Sequence, residues 1–289
     1  MASVAFLGLG VMGYPMAGHL KKNGHAVTVY NRTVARAEKW VEEFGGSLAA
    51  TPIEAARDQE FVFACVGNDD DLRAVAIGPQ GAFGSLAKGT VFVDHTTASA
   101  EAARELHEKA KAQGCGFVDA PVSGGQSGAE TGALSIMCGA DSEDYARTAP
   151  IISSYAKACR LMGPPGSGQL TKMVNQICIA GLVQGLAEGL HFAKRAGLDP
   201  DLVVDIISKG AAQSWQMENR HKTMSAGKFD FGFAVNWMRK DLALCLEEAR
   251  RNGATLPVAA LVDQFYSEIQ KMGGARWDTS SLIARLDRS

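Results

Sequence analysis

The stretch VAFLGLGVMG (residues 4–13) decides the fold of this chain. It starts as a short apolar run and then places three glycines, Gly8, Gly10 and Gly13, in the spacing G-x-G-x-x-G before a helical pattern begins. A second strand-like run, AVTVY (residues 26–30), follows that helical pattern. The first residues therefore predict a strand, a tight glycine-rich turn, a helix and a second strand.

The same alternation continues to about residue 160. The strand-like runs are VAFLG (4–8), AVTVY (26–30), FVFACV (61–66), TVFVDH (90–95) and GFVDAPV (116–122). Alternating strands and helices predict a parallel sheet wound with helices on both faces, of the Rossmann type. After GPPGSG (163–168) the strand-like runs end and helical patterns continue to about residue 286. We expect a Rossmann-type α/β domain over 1–163 and an all-helical domain over 164–289, joined by a long helix.

Composition narrows the class of partner. The 289 residues are 46% apolar and 21% charged, with a formal net charge of −2 and no block of like charges. This argues against a nucleic-acid or anionic-membrane surface and favours a small-molecule partner. The polar residues Gln184, Glu188 and His191 interrupt the longest apolar stretch (176–193), which favours a soluble protein over a spanning helix.

The cysteines and histidines do not predict a metal site. Six cysteines are scattered without a C-x-x-C pair, and the six histidines show no H-E-x-x-H spacing. We interpret the cysteines as buried, reduced thiols of a cytoplasmic protein.

The glycine-rich turn predicts a dinucleotide site. Gly8, Gly10 and Gly13, with Leu9 and Met12 between them, would let a pyrophosphate approach the backbone at the N-terminus of the first helix. The alternative is a turn that serves only close packing of helix and strand.

The end of the second strand indicates which dinucleotide binds. An acidic residue is usual there when the ribose carries a free 2′-hydroxyl, but this chain has Asn31, Arg32 and Thr33. An arginine can bind a 2′-phosphate by charge-assisted hydrogen bonds, so we expect NADP(H). The alternative is that Arg32 is an ordinary surface charge beside an NAD site.

Later strand ends supply candidates for the cofactor and the substrate. Val66 ends the third run and is a cofactor candidate, and Thr97 follows the fourth run, where its hydroxyl could reach the nicotinamide side; both lie at the edge of the sheet where ligands bind. After the fifth run, Ser123, Gly124 and Gly125 offer a hydroxyl and open backbone N–H groups suited to a carboxylate. Turn-forming and helix-capping roles remain open for all of these residues.

One lysine stands out on the long apolar helix of residues 168–193. Lys172, Asn175 and Gln176 lie at i, i+3 and i+4, on one helical face. The ammonium of Lys172 could donate a proton to a carbonyl oxygen during reduction and accept it back during oxidation. The alternative is a lysine that reaches solvent from the start of a buried helix.

Taken together, four motifs resemble the β-hydroxyacid dehydrogenase family, over essentially the whole chain. They are FLGLGVMGYPMAGHL, DAPVSGGQSGAETGALS, GSGQLTKMVNQ and RKDLALCLEEA, in that order. The resemblance implies that Lys172 is the catalytic acid/base, with Asn175 orienting the substrate. It also implies that Ser123, Gly124 and Gly125 hold the substrate carboxylate. It adds Thr97 at the nicotinamide or substrate. From the helical half it adds Phe233 and Asp241 at the substrate and Lys240 at the cofactor.

This chain departs from the family pattern at two positions. Asn175-Gln176 replaces the pair of asparagines found in hydroxyisobutyrate-type members, and Val66-Gly67 replaces a common leucine-proline pair. Val66-Gly67 leaves the cofactor contacts of its loop undefined. Asn175-Gln176 and Asn31-Arg32-Thr33 resemble the tartronate-semialdehyde and glyoxylate reductase types, and they favour an NADPH-dependent reductase of small aldehyde acids such as glyoxylate, succinic semialdehyde or tartronate semialdehyde.

Three rival functions remain. They are a dehydrogenase oxidising 3-hydroxyisobutyrate or serine, an imine reductase, and a protein that binds NADPH without catalysis. The resemblance also implies a homo-oligomer, either a dimer or a tetramer.

Overall fold

The computed structural model describes residues 1–287 and divides the chain into two compact units, Met1–Lys172 and Met173–Ser289. The first unit is built on one sheet. Its strands are β1 (Ser3–Leu7), β2 (Ala26–Tyr30), β3 (Ser47–Leu48), β4 (Phe61–Ala64), β5 (Val91–Asp94), β6 (Gly116–Asp119), β7 (Val122–Ser123), β8 (Leu134–Ala140) and β9 (Ala156–Gly163).

Six of these strands form a parallel sheet in the order β3-β2-β1-β4-β5-β6. This is the strand order of a dinucleotide-binding Rossmann fold, with its switch point between β1 and β4. The predicted α/β class is therefore confirmed for the first unit.

Both faces of this sheet are covered, and β1 shows why the sequence allows it. Val4 and Phe6 belong to the core on one face, Ala5 and Leu7 to the core on the other, and all four are fully buried. Successive side chains of a strand point to opposite faces, so an uninterrupted apolar run is typical of a parallel strand with helices on both sides. Those helices are α1 (Gly13–Lys22), α2 (Val34–Phe44), α3 (Pro52–Ala56), α4 (Asp69–Ile77), α5 (Ala100–Ala112), α6 (Gly125–Glu130) and α7 (Ser142–Ile152).

The sheet continues beyond the strands that the sequence predicted. The run GFVDAPV divides at Ala120-Pro121 into β6 and β7, β8 pairs antiparallel with both of them, and β9 pairs parallel with β8. On these last two strands the Sγ atoms of Cys138 and Cys159 lie 3.5 Å apart.

The second unit is helical, as expected, and its first helix begins in the first unit. The helices are α8 (Ser167–Arg195), α9 (Pro200–Ile207), α10 (Trp215–Ser225), α11 (Val235–Asn252), α12 (Pro257–Lys271) and α13 (Leu282–Leu286). The sequence placed the domain boundary at 163/164, ahead of α8. The structure places the unit boundary after Lys172, because the first turn of α8 is hydrogen-bonded to β6.

One face of α8 exposes apolar side chains. Val174, Leu182 and Phe192 are 61%, 46% and 69% exposed, and Cys178 is exposed too, contrary to the expectation that all the cysteines are buried. By length and composition alone α8 could also cross a membrane, a test that core helices of soluble proteins pass as well. By length and composition, the polar residues within 176–193 therefore do not exclude a membrane-spanning helix.

Candidate active site

Two glycines of the glycine-rich turn, Gly8 and Gly13, are required by close packing, and Gly10 is not. Gly8 has φ +96°, and a Cβ there would lie 2.4 Å from the carbonyl oxygen of Cys65. A Cβ on Gly13 would lie 2.0 Å from the carbonyl oxygen of Gly8. A Cβ on Gly10 would meet none of the described atoms within 4 Å. The open space above Gly10 fits a pyrophosphate brought close to the backbone.

The helix after this turn can accept an anion. No acidic residue lies in the first turn of α1, and the residue at its N-cap, Met12, makes no side-chain cap in the described structure. The N–H groups and the positive end of the helix dipole therefore favour a phosphate. Asn31 braces the turn, since its Oδ1 accepts a 2.9 Å hydrogen bond from the N–H of Leu9 and its Nδ2 donates to the carbonyl of Thr33.

Arg32 lies at the surface beside Asp71. Its side chain is 85% exposed, and its guanidinium lies 3.2 Å from Oδ1 of Asp71 on α4. Thr33 is exposed at the N-cap of α2 and makes no side-chain cap there, and the first turn of α2 contains no acidic residue. These three features suit a phosphate beside Arg32, although a phosphate would have to displace Asp71.

The loop after β5 is fixed by its neighbours. The hydroxyl of Thr96 accepts a 3.0 Å hydrogen bond from the N–H of Val66, and Oδ1 of Asp94 accepts one of 2.9 Å from the N–H of Thr96. Thr97, the next residue, is half-buried. His95 lies in the core, where its Nδ1–H donates to the carbonyl of Ala120. Burial lowers the pKa of His95 to about 4, so the ring is neutral at ordinary pH.

The loop of Ser123, Gly124 and Gly125 lies at the end of β7. Gly124 and Gly125 adopt φ +136° and +61°, and Ser123 ends β7 just before them. A Cβ on Gly124 would crowd Leu134 at 3.1 Å, whereas one on Gly125 would meet no described atom within 4 Å. The loop therefore leaves its backbone open at Gly125, as a carboxylate site requires.

Lys172 lies on a helix whose first turn is locked to the sheet. Oδ1 of Asp119, at the end of β6, accepts a 2.7 Å hydrogen bond from the N–H of Gly166, and Oδ2 accepts one of 2.9 Å from the N–H of Gln169. Burial raises the pKa of Asp119 to about 6, and these N–H groups limit the rise. Lys172 itself is only 8% exposed.

The helix and the sheet approach each other too closely for side chains at two positions. A Cβ on Gly168 would lie 2.4 Å from the carbonyl oxygen of Met137 on β8. A Cβ on Gly139 would lie 2.4 Å from Oδ1 of Asp119. The start of α8 is therefore placed by backbone contacts as well as by hydrogen bonds.

In the second unit three of the expected residues form one chain of contacts. Nδ2 of Asn175 donates to Oε1 of Gln176, whose Nε2 donates a 2.6 Å hydrogen bond to Oδ2 of Asp241. Nζ of Lys240 lies 3.1 Å from Oδ1 of Asp241. Asp241 is therefore buried, and its carboxyl group is bound by Gln176 and Lys240. Phe233 is 36% exposed, and its N–H donates to Asp278.

Comparison with known proteins identifies the family. The NAD binding domain of 6-phosphogluconate dehydrogenase matches residues 3–163, and the NAD-binding domain of NADP-dependent 3-hydroxyisobutyrate dehydrogenase matches residues 166–286. The probable 3-hydroxyisobutyrate dehydrogenase-like 1 of Arabidopsis thaliana is 40% identical, over 99% of this chain and 85% of its own. The chain belongs to the β-hydroxyacid dehydrogenase family.

Two further relatives agree with this assignment. An uncharacterized oxidoreductase of Shewanella frigidimarina is 64% identical to this β-hydroxyacid dehydrogenase, over 100% of this chain and 99% of its own. The structure of Mycobacterium tuberculosis 3-hydroxyisobutyrate dehydrogenase with L-serine superimposes with a TM-score of 0.90 at 28% identity, covering 99% of both chains. The protein is an NAD(P)-dependent oxidoreductase acting on hydroxyl groups of β-hydroxyacids.

The sequence did not predict the hydrogen bonds of three buried residues of this β-hydroxyacid dehydrogenase. Asp119 and Gln169 lie inside the quoted motifs without an assigned role, and Gln176 was placed on the helical face of Lys172 without a predicted partner. Each of the three makes two or more hydrogen bonds. A polar residue inside an apolar run was the available signal.

Asp94 should make stability depend on pH. It is fully buried, its Oδ2 has no hydrogen-bond partner among residues 1–287, and burial raises its pKa to about 7. Because the pKa is raised on folding, the free energy of unfolding falls as pH rises from about 4 to about 7, by a few kcal/mol in order of magnitude.

Asp94→Asn removes this ionisation. We expect its thermal midpoint to exceed that of the wild type near pH 8 and the advantage to shrink towards pH 4. Thermal melts of both proteins across this range measure the difference, and parallel curves would contradict the role given to Asp94.

Proposed function

We propose that this β-hydroxyacid dehydrogenase works as an NADPH-dependent reductase of small aldehyde acids such as glyoxylate, succinic semialdehyde or tartronate semialdehyde. The proposal depends above all on Lys172, a buried amine one helical turn beyond the contacts that fix α8 to the sheet. An amine at this place can donate a proton to the aldehyde oxygen as hydride reaches the carbonyl carbon.

Each group of residues has a separate task in this proposal. The nicotinamide, once bound, supplies the hydride. Ser123, Gly124 and Gly125 hold the substrate carboxylate through a hydroxyl and backbone N–H groups. Lys172 hydrogen-bonds the aldehyde oxygen, stabilises its developing negative charge and protonates it. Asn175, one turn further along α8, orients the substrate.

The opposite direction is the second candidate. The Arabidopsis relative carries the name of a 3-hydroxyisobutyrate dehydrogenase, and the M. tuberculosis enzyme was solved with L-serine. Oxidation of a 3-hydroxy acid would use the same residues with Lys172 as the base. Rates with NADPH and each aldehyde acid, measured beside rates with NADP⁺ and each hydroxy acid near pH 7, separate the two directions. Higher catalytic efficiency in oxidation would overturn the reductase proposal.

The choice of NADP(H) is supported by Arg32. We expect Arg32→Ala to lower kcat/KM with NADPH by about 10-fold or more, since a charge-assisted contact to the 2′-phosphate is lost, and to change NADH values little. Asp71→Asn should raise NADPH affinity slightly, because an exposed ion pair is worth about 1 kcal/mol or less.

Lys39→Ala, which removes an exposed positive charge on the nearby helix α2, is the matched control. Equal losses with NADPH and NADH in Arg32→Ala would argue against a role in 2′-phosphate recognition.

We also propose a homo-oligomer. The exposed apolar face of α8, formed by Val174, Cys178, Leu182 and Phe192, supports self-association, since exposed apolar patches commonly mark protein contacts. Light scattering on the purified protein measures the mass directly, and a monomer at micromolar concentration would contradict the proposal.

A further inference from the structure

Gln169 binds the backbone on both sides of Thr97. Its Nε2 donates a 2.7 Å hydrogen bond to the carbonyl of Thr96, and its Oε1 accepts a 3.1 Å hydrogen bond from the N–H of Ala98. The side chain is fully buried, so both atoms of the amide group are committed to this loop. A single side chain therefore fixes the backbone on both sides of Thr97.

The backbone of Gln169 is bound by the last residue of β6, Asp119. Its N–H donates to Asp119, which also binds the N–H of Gly166 and lies four residues before Ser123. Lys172 follows Gln169 by three residues in α8, one helical turn along. Gln169 thus connects the loop of Thr97, the strand that leads to Ser123 and the helix turn that carries Lys172.

We propose that Gln169 is a positioning residue that fixes Thr97 and Lys172 relative to each other, with Asp119 anchoring the helix turn on which it acts. The inference rests on the proposed function, in which Lys172 is the acid and Thr97 contacts the nicotinamide or substrate. A displacement of about 1 Å in a reacting group can lower the rate by about 10²-fold, so the position of this turn matters directly to turnover.

Gln169→Met tests the role of the amide group. Methionine has a similar length but can neither donate to Thr96 nor serve as an equivalent acceptor for Ala98. We expect kcat to fall by about 10-fold or more while KM for the aldehyde acid and the Kd for NADPH change by less than about threefold. Displacement of Lys172 would reduce stabilisation of the transition state more than it reduces substrate binding.

Ile152→Ala provides the matched control for lost stability. Ile152 is fully buried in the core of the first unit and ends α7, outside the loop of Thr97. Both variants should have lower thermal midpoints than the wild type, but only Gln169→Met should lose kcat. Equal kcat in the two variants would overturn the proposal.

Gln169→Glu gives a second readout that a purely structural role would not move. A protonated carboxyl can donate to Thr96 and accept from Ala98, as the amide does, whereas an ionised carboxylate can only accept. Asp119 and Asp94 disfavour its ionisation when they are themselves ionised, whereas Lys172 on the same helix favours it.

We expect the activity of Gln169→Glu, relative to the wild type at each pH, to rise as pH falls from about 8 to about 6. A constant ratio across this range would overturn the proposal. This variant also provides the test if Gln169→Met cannot be purified in folded form.

Failure of this inference can be told apart from failure of the proposed function. If Lys172→Ala turns over normally, the proposed function is wrong. If Lys172→Ala is inactive and both Gln169 variants behave as the wild type, the function stands and the positioning role of Gln169 is wrong.

Discussion

Lys172→Ala should lose turnover by about 10²-fold or more while still binding NADPH, which is the loss expected when a positioned general acid is removed. The loss should appear in kcat, because the proton is needed as charge develops on the carbonyl oxygen. Steady-state rates with the aldehyde acids measure it, and NADPH fluorescence titration checks that the dinucleotide still binds.

Two controls sharpen this result. Lys172→Arg keeps a positive charge but replaces the compact ammonium by a planar guanidinium that does not give up its proton, so it should remain nearly as slow. A small primary amine added to Lys172→Ala should restore part of the rate. Normal turnover by Lys172→Ala would show that Lys172 is only a helix residue that reaches solvent.

Gly10→Ala should weaken dinucleotide binding by about 10-fold or more without destabilising the protein, because its methyl group would occupy the space for the pyrophosphate. No described atom lies within 4 Å of that Cβ position, so the free protein has room for the methyl group. Isothermal titration with NADPH measures the affinity, and a thermal melt of the free protein measures the stability.

Gly13→Ala and Gly210→Ala are the companion variants. A methyl group on Gly13 would overlap the carbonyl oxygen of Gly8, so that variant should lose stability as well as affinity. Gly210 is exposed, with its Cβ position in ordinary contact at 3.6 Å, so that variant should change neither. Unchanged NADPH affinity in Gly10→Ala would contradict a pyrophosphate at this turn.

The parts of the fold that were predictable from sequence are those coded locally. The glycine-rich turn, the fully apolar strand β1 and the long helix α8 each carry their pattern within a few neighbouring residues. By contrast, β9 exposes Lys157 and Arg160 and lacks an alternating apolar pattern. Its pairing with β8 comes from contacts distant in the chain, which periodicity does not reveal.

The candidate site divides in the same way. Lys172 and Gly10 were recognisable because their residue types carry chemistry at a motif position. Asp119 and Gln169 act through partners that lie 47 to 73 residues away in the chain. Asn31 was expected at the dinucleotide, and its hydrogen bonds to Leu9 and Thr33 support the turn where the dinucleotide is predicted. Residue type therefore identified Lys172 and Gly10, whereas the hydrogen-bond partners of Asp119, Gln169 and Asn31 became known only from the structure.

The close backbone approach of Gly139 and Gly168 restricts how this enzyme could be re-engineered. Either position would place a Cβ 2.4 Å from an oxygen atom, so a randomised library covering them would yield mostly misfolded clones. Gly125 has an open Cβ position but adopts φ +61°, so a side chain there would be strained as well. A search for altered substrate range should therefore leave these glycines and the junction of α8 with β6 and β8 unchanged.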